Sequence, residues 1–162
     1  MEHSSAGPAG NIDAAVRAYG SILYRTCLVM LGSESDAEDA VQETFLKYLQ
    51  KAPQFESGEH EKAWLLTVAA NLCRDQLRFR KRHPQTDPER LAELPAEEGH
   101  SGILEALMTL PEAFRMVLIL HYVEGYRVDE IARIIGRTPS AVKMRLWKGR
   151  RLLEEAYRKE CQ

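Results

Sequence analysis

Between Tyr126 and Arg151 the chain carries eight basic side chains, Arg127, Arg133, Arg137, Lys143, Arg145, Lys148, Arg150 and Arg151, against two acids, Asp129 and Glu130. That balance can hold a polyanion, but a charge run is commonly only a solvated face. The spacing beneath it decides. Ile131, Ala132 and Ile135 make an apolar stripe, Gly136 stops it, and Thr138-Pro139 starts a second stripe of Val142, Leu146 and Leu153, with Gly149 on the same side. A Gly just past the last periodic residue fits a left-handed helix cap, and Thr then Pro fits the cap and first turn of the next helix. Ala132, Gly136 and Val142 supply a close crossing, a turn and a branched filler. The pattern is a helix-turn-helix, whose second helix enters the DNA major groove.

At 100° per residue the side opposite Val142 and Leu146 carries Ser140, Met144, Trp147, Lys148 and Arg151, flanked by Lys143 and Arg145. Ser140, Lys143, Met144 and Trp147 are expected at base edges: lysine donates to guanine, and Met or Trp packs on thymine methyls. Arg137, Thr138, Arg145, Lys148 and Arg151 are expected on phosphates, which position without specifying. For Trp147, packing against a neighbouring helix or a partner protein is the alternative to base contact.

The elements that position these residues are helical throughout, and the fold class is all-α. The spacing predicts a first helix from about Asn11 to Leu31, with Ile12, Val16, Tyr19, Leu23, Cys27 and Met30 on one face. A second opens on a capping box, Ser35 with Glu38, and buries Val41, Phe45, Tyr48 and Leu49. A polar loop from Pro53 to Lys62 precedes a third helix, from about Glu61 to Arg82, packed by Trp64, Leu65, Val68 and Leu72. Its end carries Arg74, Arg78, Arg80, Lys81 and Arg82 against Asp75, more than a helix dipole needs, so phosphate contact is favoured. Residues 84–101 are Pro-rich and acidic and read as a linker between domains. Two short helices then lead into the helix-turn-helix, with Leu110-Pro111 opening the second and His121 a packed or rim residue. The last helix is expected to fray from Glu154.

Of the chain's 162 residues, 44% are hydrophobic, enough for a core, and the formal charge is −2. That total averages over opposed segments. Cys27, Cys73 and Cys161 form no CxxC pair, so a disulfide framework and a zinc site are both unsupported, and no metal or cofactor is expected. His60-Glu61 is not a zinc motif, because position 64 is Trp. No Ser/His/Asp set or phosphate-binding glycine loop argues for an enzyme. No stretch is apolar for the length of a membrane span, and the opening residues lack a secretory pattern. The expectation is a cytoplasmic, reduced protein without membrane contact of its own.

Two separated motifs carry a resemblance. DAEDAVQETFLKYL (Asp36 to Leu49) resembles the helix with which bacterial sigma factors grip core RNA polymerase, and AWLLTVAANLCRDQLRFRKR (Ala63 to Arg82) the adjoining promoter-reading and melting helix. LPEAFRMVLILHYVEGYRVDEIARIIGRTPSAVKMRLWKGRRLLEE (Leu110 to Glu155) is similar to the region that reads the −35 element. Order, linker and size match the extracytoplasmic-function (ECF) sigma factors of the sigma-70 family. The resemblance covers nearly all of residues 11–155.

It implies a tail (1–10), a region 2 domain (11–83), the acidic linker (84–101), threading toward the polymerase active-site channel, and a region 4 domain (102–162). It also implies roles. Asp39, Gln42, Glu43 and Lys47 would meet the clamp helices of core polymerase, Phe45 lying in the same motif, and region 4 would meet the flap. Asn71, with Arg74, Arg78, Arg80, Lys81 and Arg82, would serve −10 recognition and melting. The loop holding Phe55 would take a flipped-out base. An anti-sigma protein is implied as a further partner. Ala70 stands where the family often has Arg, and Arg127 where it often has Ser or Thr. The alternatives are a stand-alone helix-turn-helix regulator, for which DNA binding would not need polymerase, and a sigma-like interaction protein that reads no promoter.

Overall fold

Gly32 has a φ of +68°, a left-handed conformation that glycine adopts without a Cβ clash, and there the first helix ends. The computed structural model describes residues 12–83 and 101–160. The first helix, α1 (Ile12–Leu31), is followed by α2 (Glu34–Lys51) and α3 (Gly58–Arg82), which pack mutually as a three-helix unit. Its core is Leu23, Cys27, Met30, Leu31, Tyr48, Leu65, Leu66 and Cys73, with Ala37, Ala69 and Ala70 allowing close approach. Each large buried side chain there contributes roughly 1.5–3 kcal/mol of transfer free energy.

The second unit holds α4 (Ser101–Met108), α5 (Glu112–Leu118), α6 (Val128–Ile135) and α7 (Pro139–Glu160). A π-helical turn, Ile119–Val123, continues α5, and Gly125 at φ +76° closes it. Helices α4, α5 and α6 all pack on α7, whose buried side is Val142, Leu146 and Gly149. A Cβ on Gly149 would meet Leu118 Cδ1 at 3.3 Å and Phe114 Cβ at 3.4 Å, so the glycine is what lets α5 and α7 touch. Gly149→Leu is expected to lower stability by about 1–3 kcal/mol through overpacking. Gly149→Ala should be near neutral, because helix propensity offsets the tightness. Urea midpoints of the two variants check this, and equal midpoints would mean the crossing is not tight.

Among the described residues the structure contains no strand, as the all-α reading expected. Several local expectations are corrected. Helix α2 is capped by Ser33, not Ser35: the Ser33 hydroxyl accepts from the Asp36 amide at 3.3 Å. Helix α3 begins three residues early because Ser57 caps it, accepting from the His60 amide at 3.1 Å. Val16 and Leu49, expected inside, are exposed. Trp64, Val68 and Leu72 are half-buried, the face of α3 having turned to Leu65, Leu66, Ala69, Ala70 and Cys73. Helix α7 does not fray at Glu154 but runs to Glu160, held at its end by half-buried Leu152, Leu153 and Ala156. The expected tail and nearly all of the expected linker lie outside the described residues.

Candidate nucleic-acid interface

Helix α6 is built to stop and α7 to start within four residues. Gly136 takes φ +67°, its amide donating to Ala132 O, and Arg137 N donates to the same carbonyl at 3.0 Å. Thr138 Oγ1 then accepts from the Ala141 amide at 3.1 Å, with Pro139 in the first turn. Arg127 cannot accept as a cap side chain. Instead Glu130 Oε1 accepts from the Arg127 amide at 3.1 Å and from its Nε at 3.2 Å, so the carboxylate supports the helix start alone. Ile131, Ala132, Ile134 and Ile135 are buried, α6 packing on both α7 and α3.

The outer face of α7 presents the base-reading candidates together. Ser140, Lys143, Met144 and Trp147 line one shallow depression. Met144 is 61% exposed and Trp147 52%, so neither is spent on the core. The Arg151 guanidinium lies 4.9 Å over the Trp147 ring, a cation–π contact that braces the indole against its helix. Lys148 Nζ sits 5.7 Å over the Phe114 ring. Arg137 and Thr138 are exposed at the turn and Arg145 half-buried. Arg150 donates to Tyr122 Oη at 2.8 Å.

On α3 the basic end divides. Lys81 and Arg82 are exposed, and Arg78 is exposed beside Asp75 at 3.7 Å. Arg80 is turned inward: it donates to Leu31 O at 2.7 Å and pairs with the buried Asp36 carboxylate. A guanidinium so committed is unavailable to a phosphate without breaking that pair. Arg74 bonds the exposed Asn71 Oδ1 and donates to Ile135 O of α6 at 3.0 Å. Burial pulls the Arg74 pKa below its ordinary value, though arginine stays charged.

Phe55 is half-buried in an aromatic cluster, with ring centroids 6.0 Å from Tyr48, 5.9 Å from Trp64 and 5.3 Å from His60. It anchors the loop as a floor rather than standing free. Ala70 is fully buried, so position 70 faces the core here.

A separate face lies on α2. Asp39, Gln42 and Glu43 are exposed and Lys47 half-buried, while Phe45, in the same motif, is buried. Leu46 and Leu49, 49% and 42% exposed, extend this face and were missed by the sequence reading. Counting by three and four from Asp39 places them on it, and that was the signal available. Among the described residues no cluster of His, Cys, Asp or Glu could hold a metal ion, and no helix is long and apolar enough to cross a membrane.

Comparison with known proteins follows this geometry. The sigma-70 region 2 family matches residues 15–83, and the sigma-70 region 4 family residues 100–153. The ECF RNA polymerase sigma factor SigE of Mycolicibacterium smegmatis is 30% identical over 88% of this chain and 60% of its own length, so the chain spans less than two thirds of that relative. RNA polymerase sigma factor SigV of Bacillus subtilis is 30% identical over 85% of each chain. CarQ of Myxococcus xanthus is 32% identical over 74% of this chain and 73% of its own. Among solved structures, sigma factor RpoE in complex with the anti-sigma factor NepR from Bartonella quintana matches at a TM-score of 0.76. It is 27% identical, with 91% of this chain and 97% of that one covered. CnrH in complex with the cytosolic domain of CnrY matches at 0.68 and 25% identity, covering 91% and 90%.

Proposed function

Because the chain belongs to the sigma-70 family of RNA polymerase sigma factors, in its ECF group, we propose how its residues divide that work. The protein is a dissociable specificity subunit. It binds core polymerase, recognises a −35 and a −10 promoter element, and promotes opening near the second. Catalysis belongs to the polymerase, and the setting is cytoplasmic. The observation that carries the division is the outward face of α7, where Ser140, Lys143, Met144 and Trp147 share one depression rimmed by basic residues. That face reads the −35 element, Lys143 by donation to base acceptors, Met144 and Trp147 by apolar contact with thymine methyls. Arg137, Thr138, Arg145, Lys148 and Arg151 hold phosphates.

In the first unit, Asn71, Arg74, Arg78, Lys81 and Arg82 serve the −10 strand, and Phe55 floors the loop above it. Arg80 is left out of this set, since its guanidinium is held by Asp36 and Leu31 O. Asp39, Gln42, Glu43 and Lys47, with Leu46 and Leu49 added, form the core-polymerase face. The two apolar side chains supply burial and the charged ones register. Region 4 meets the flap. An anti-sigma protein is the expected inhibitor, supported by the solved relative held in complex with one.

Run-off transcription tests this: core polymerase with and without the protein on fragmented genomic DNA should yield new transcripts sharing paired upstream motifs. DNA binding by the protein alone, without new transcripts or a stable core complex, would overturn the reading. On the promoter so found, Lys148→Ala should reduce the slope of log binding constant against log salt by about 0.9, one phosphate contact. An unchanged slope would assign Lys148 to its Phe114 contact alone.

A further inference from the structure

Two sulfurs meet in the core of the first unit. Cys27 points inward from α1 and Cys73 from α3, and both are fully buried. The Cys73 side chain is hydrogen-bonded to that of Cys27, so no other group lies between the sulfurs. The two helices pack directly. Ala69 and Ala70, about one turn before Cys73 and buried like it, keep the crossing close. Packed helices have axes roughly 8–10 Å apart, and each Cα lies about 2.3 Å off its axis, so facing Cα atoms stand roughly 3.5–5.5 Å apart. A disulfide takes Cα atoms about 4.4–6.8 Å apart, and the two ranges overlap.

We propose that Cys27 and Cys73 are a redox pair, which hydrogen peroxide joins into a disulfide that ties α1 to α3 and which a dithiol releases. The inference stands on the core of the first unit and not on the sigma reading. One thiolate attacks the peroxide, giving a sulfenic acid and hydroxide. The second sulfur then attacks the sulfenic sulfur. The S–S bond forms, and the sulfenic oxygen leaves as water with the second thiol's proton. Hydroxide takes up the proton that the first thiol lost, so two thiols and one peroxide become one disulfide and two waters.

Burial sets how the pair behaves. Peroxide reaches the sulfurs only when the unit opens locally, so the reaction is slow in the resting chain. The sulfenic acid then meets Cys73 or Cys27 on reclosure before any thiol of another molecule. The tie joins positions 46 apart, a separation at which a cross-link strongly constrains the unfolded chain. Native packing already holds the two sulfurs together, so little strain offsets that gain. Oxidation therefore makes the first unit harder to unfold, the reverse of what it does to a core methionine.

The test uses the full chain with Cys161→Ala, which leaves only these two of the three cysteines. The chain is held overnight in millimolar hydrogen peroxide, remaining thiols are blocked, and the product is digested without reductant. The Cys27 and Cys73 peptides should be joined, lighter by two hydrogens, in a monomeric chain. The melting temperature should rise by about 10 °C or more, and dithiothreitol should remove both the link and the rise. Cys27→Ala and Cys73→Ala, each in the same background, should show neither. If either alanine variant fails to fold, the dithiothreitol reversal makes the comparison in the unsubstituted pair. Oxygen added to a sulfur without a link, or thiols left untouched, would overturn the proposal, because the sulfurs then never react with each other. A link with a lower melting temperature would overturn it too, because the sulfurs then join only in a distorted chain. Transcription plays no part in this experiment, so its failure leaves the sigma reading standing.

Discussion

Asp36→Ala is expected to cost the first three-helix unit about 3–5 kcal/mol of stability, because it strands a partly buried guanidinium. The Asp36 side chain is 9% exposed and that of its partner Arg80 17%, and Arg80 also holds Leu31 O. One ion pair thereby ties the start of α2 to the end of α3 and to the end of α1. Arg80→Ala should fall nearly as far. The double replacement Asp36→Leu with Arg80→Met should recover most of the loss, since an apolar pair of similar volume removes the desolvation cost along with the attraction. Urea unfolding of the four proteins checks this. If Arg80→Ala left the midpoint unchanged but weakened −10 binding, Arg80 would return to the phosphate-contacting set.

Trp147→Ala is expected to weaken −35 recognition by about 1–3 kcal/mol, roughly fivefold to 150-fold in affinity, at unchanged thermal stability. The indole is half exposed and packs on Arg151 of its own helix, so its loss opens no cavity. Fluorescence anisotropy of the polymerase complex on promoter fragments reads the first effect and calorimetry the second. The chemistry can be isolated on the DNA side. Replacing thymine by uracil in the −35 element removes only the C5-methyl, worth about 0.8 kcal/mol when buried, or about fourfold. The wild type should feel that change at the contacted thymine and Trp147→Ala should not. Equal sensitivity in both proteins would assign the methyl contact elsewhere, and a fall in melting temperature would make Trp147 a packing residue.

The helix-turn-helix was legible nearly in full, because its signals are local. Gly136, Thr138 and Pro139 each answer to backbone geometry within one turn, and Val142, Leu146 and Gly149 show the period of α7 directly. The three-helix unit was legible in its elements but not in its rotation. Helix α3 has apolar residues on more than one face, and which face goes inward depends on α1 and α2, as the half-burial of Trp64, Val68 and Leu72 shows. Leu49 failed for the same reason: periodicity cannot tell a core position from an exposed one when both are leucine. The cap expected at Ser35 falls on Ser33, which directly follows the left-handed Gly32. Arginine was the least legible residue. Arg74, Arg80, Arg78, Lys81 and Arg82 form one basic run in sequence, yet Arg80 closes an internal ion pair, Arg74 reaches another helix and the others face water. Charge counts cannot separate these, because the acceptors are carbonyls and a carboxylate brought from distant positions.

Cys27 and Cys73 lie fully buried between α1 and α3, and the Cys73 thiol is pushed well above its ordinary pKa by its hydrogen bond with Cys27 and by burial. Alkylating reagents attack thiolates, which need both water and a proton lost. These two sulfurs are therefore timers. The rate at which a pulse of reagent modifies them measures how often the first three-helix unit comes apart, residue by residue and without any added label. Comparing that rate in the free chain and in complex with polymerase would report how firmly a partner clamps this unit.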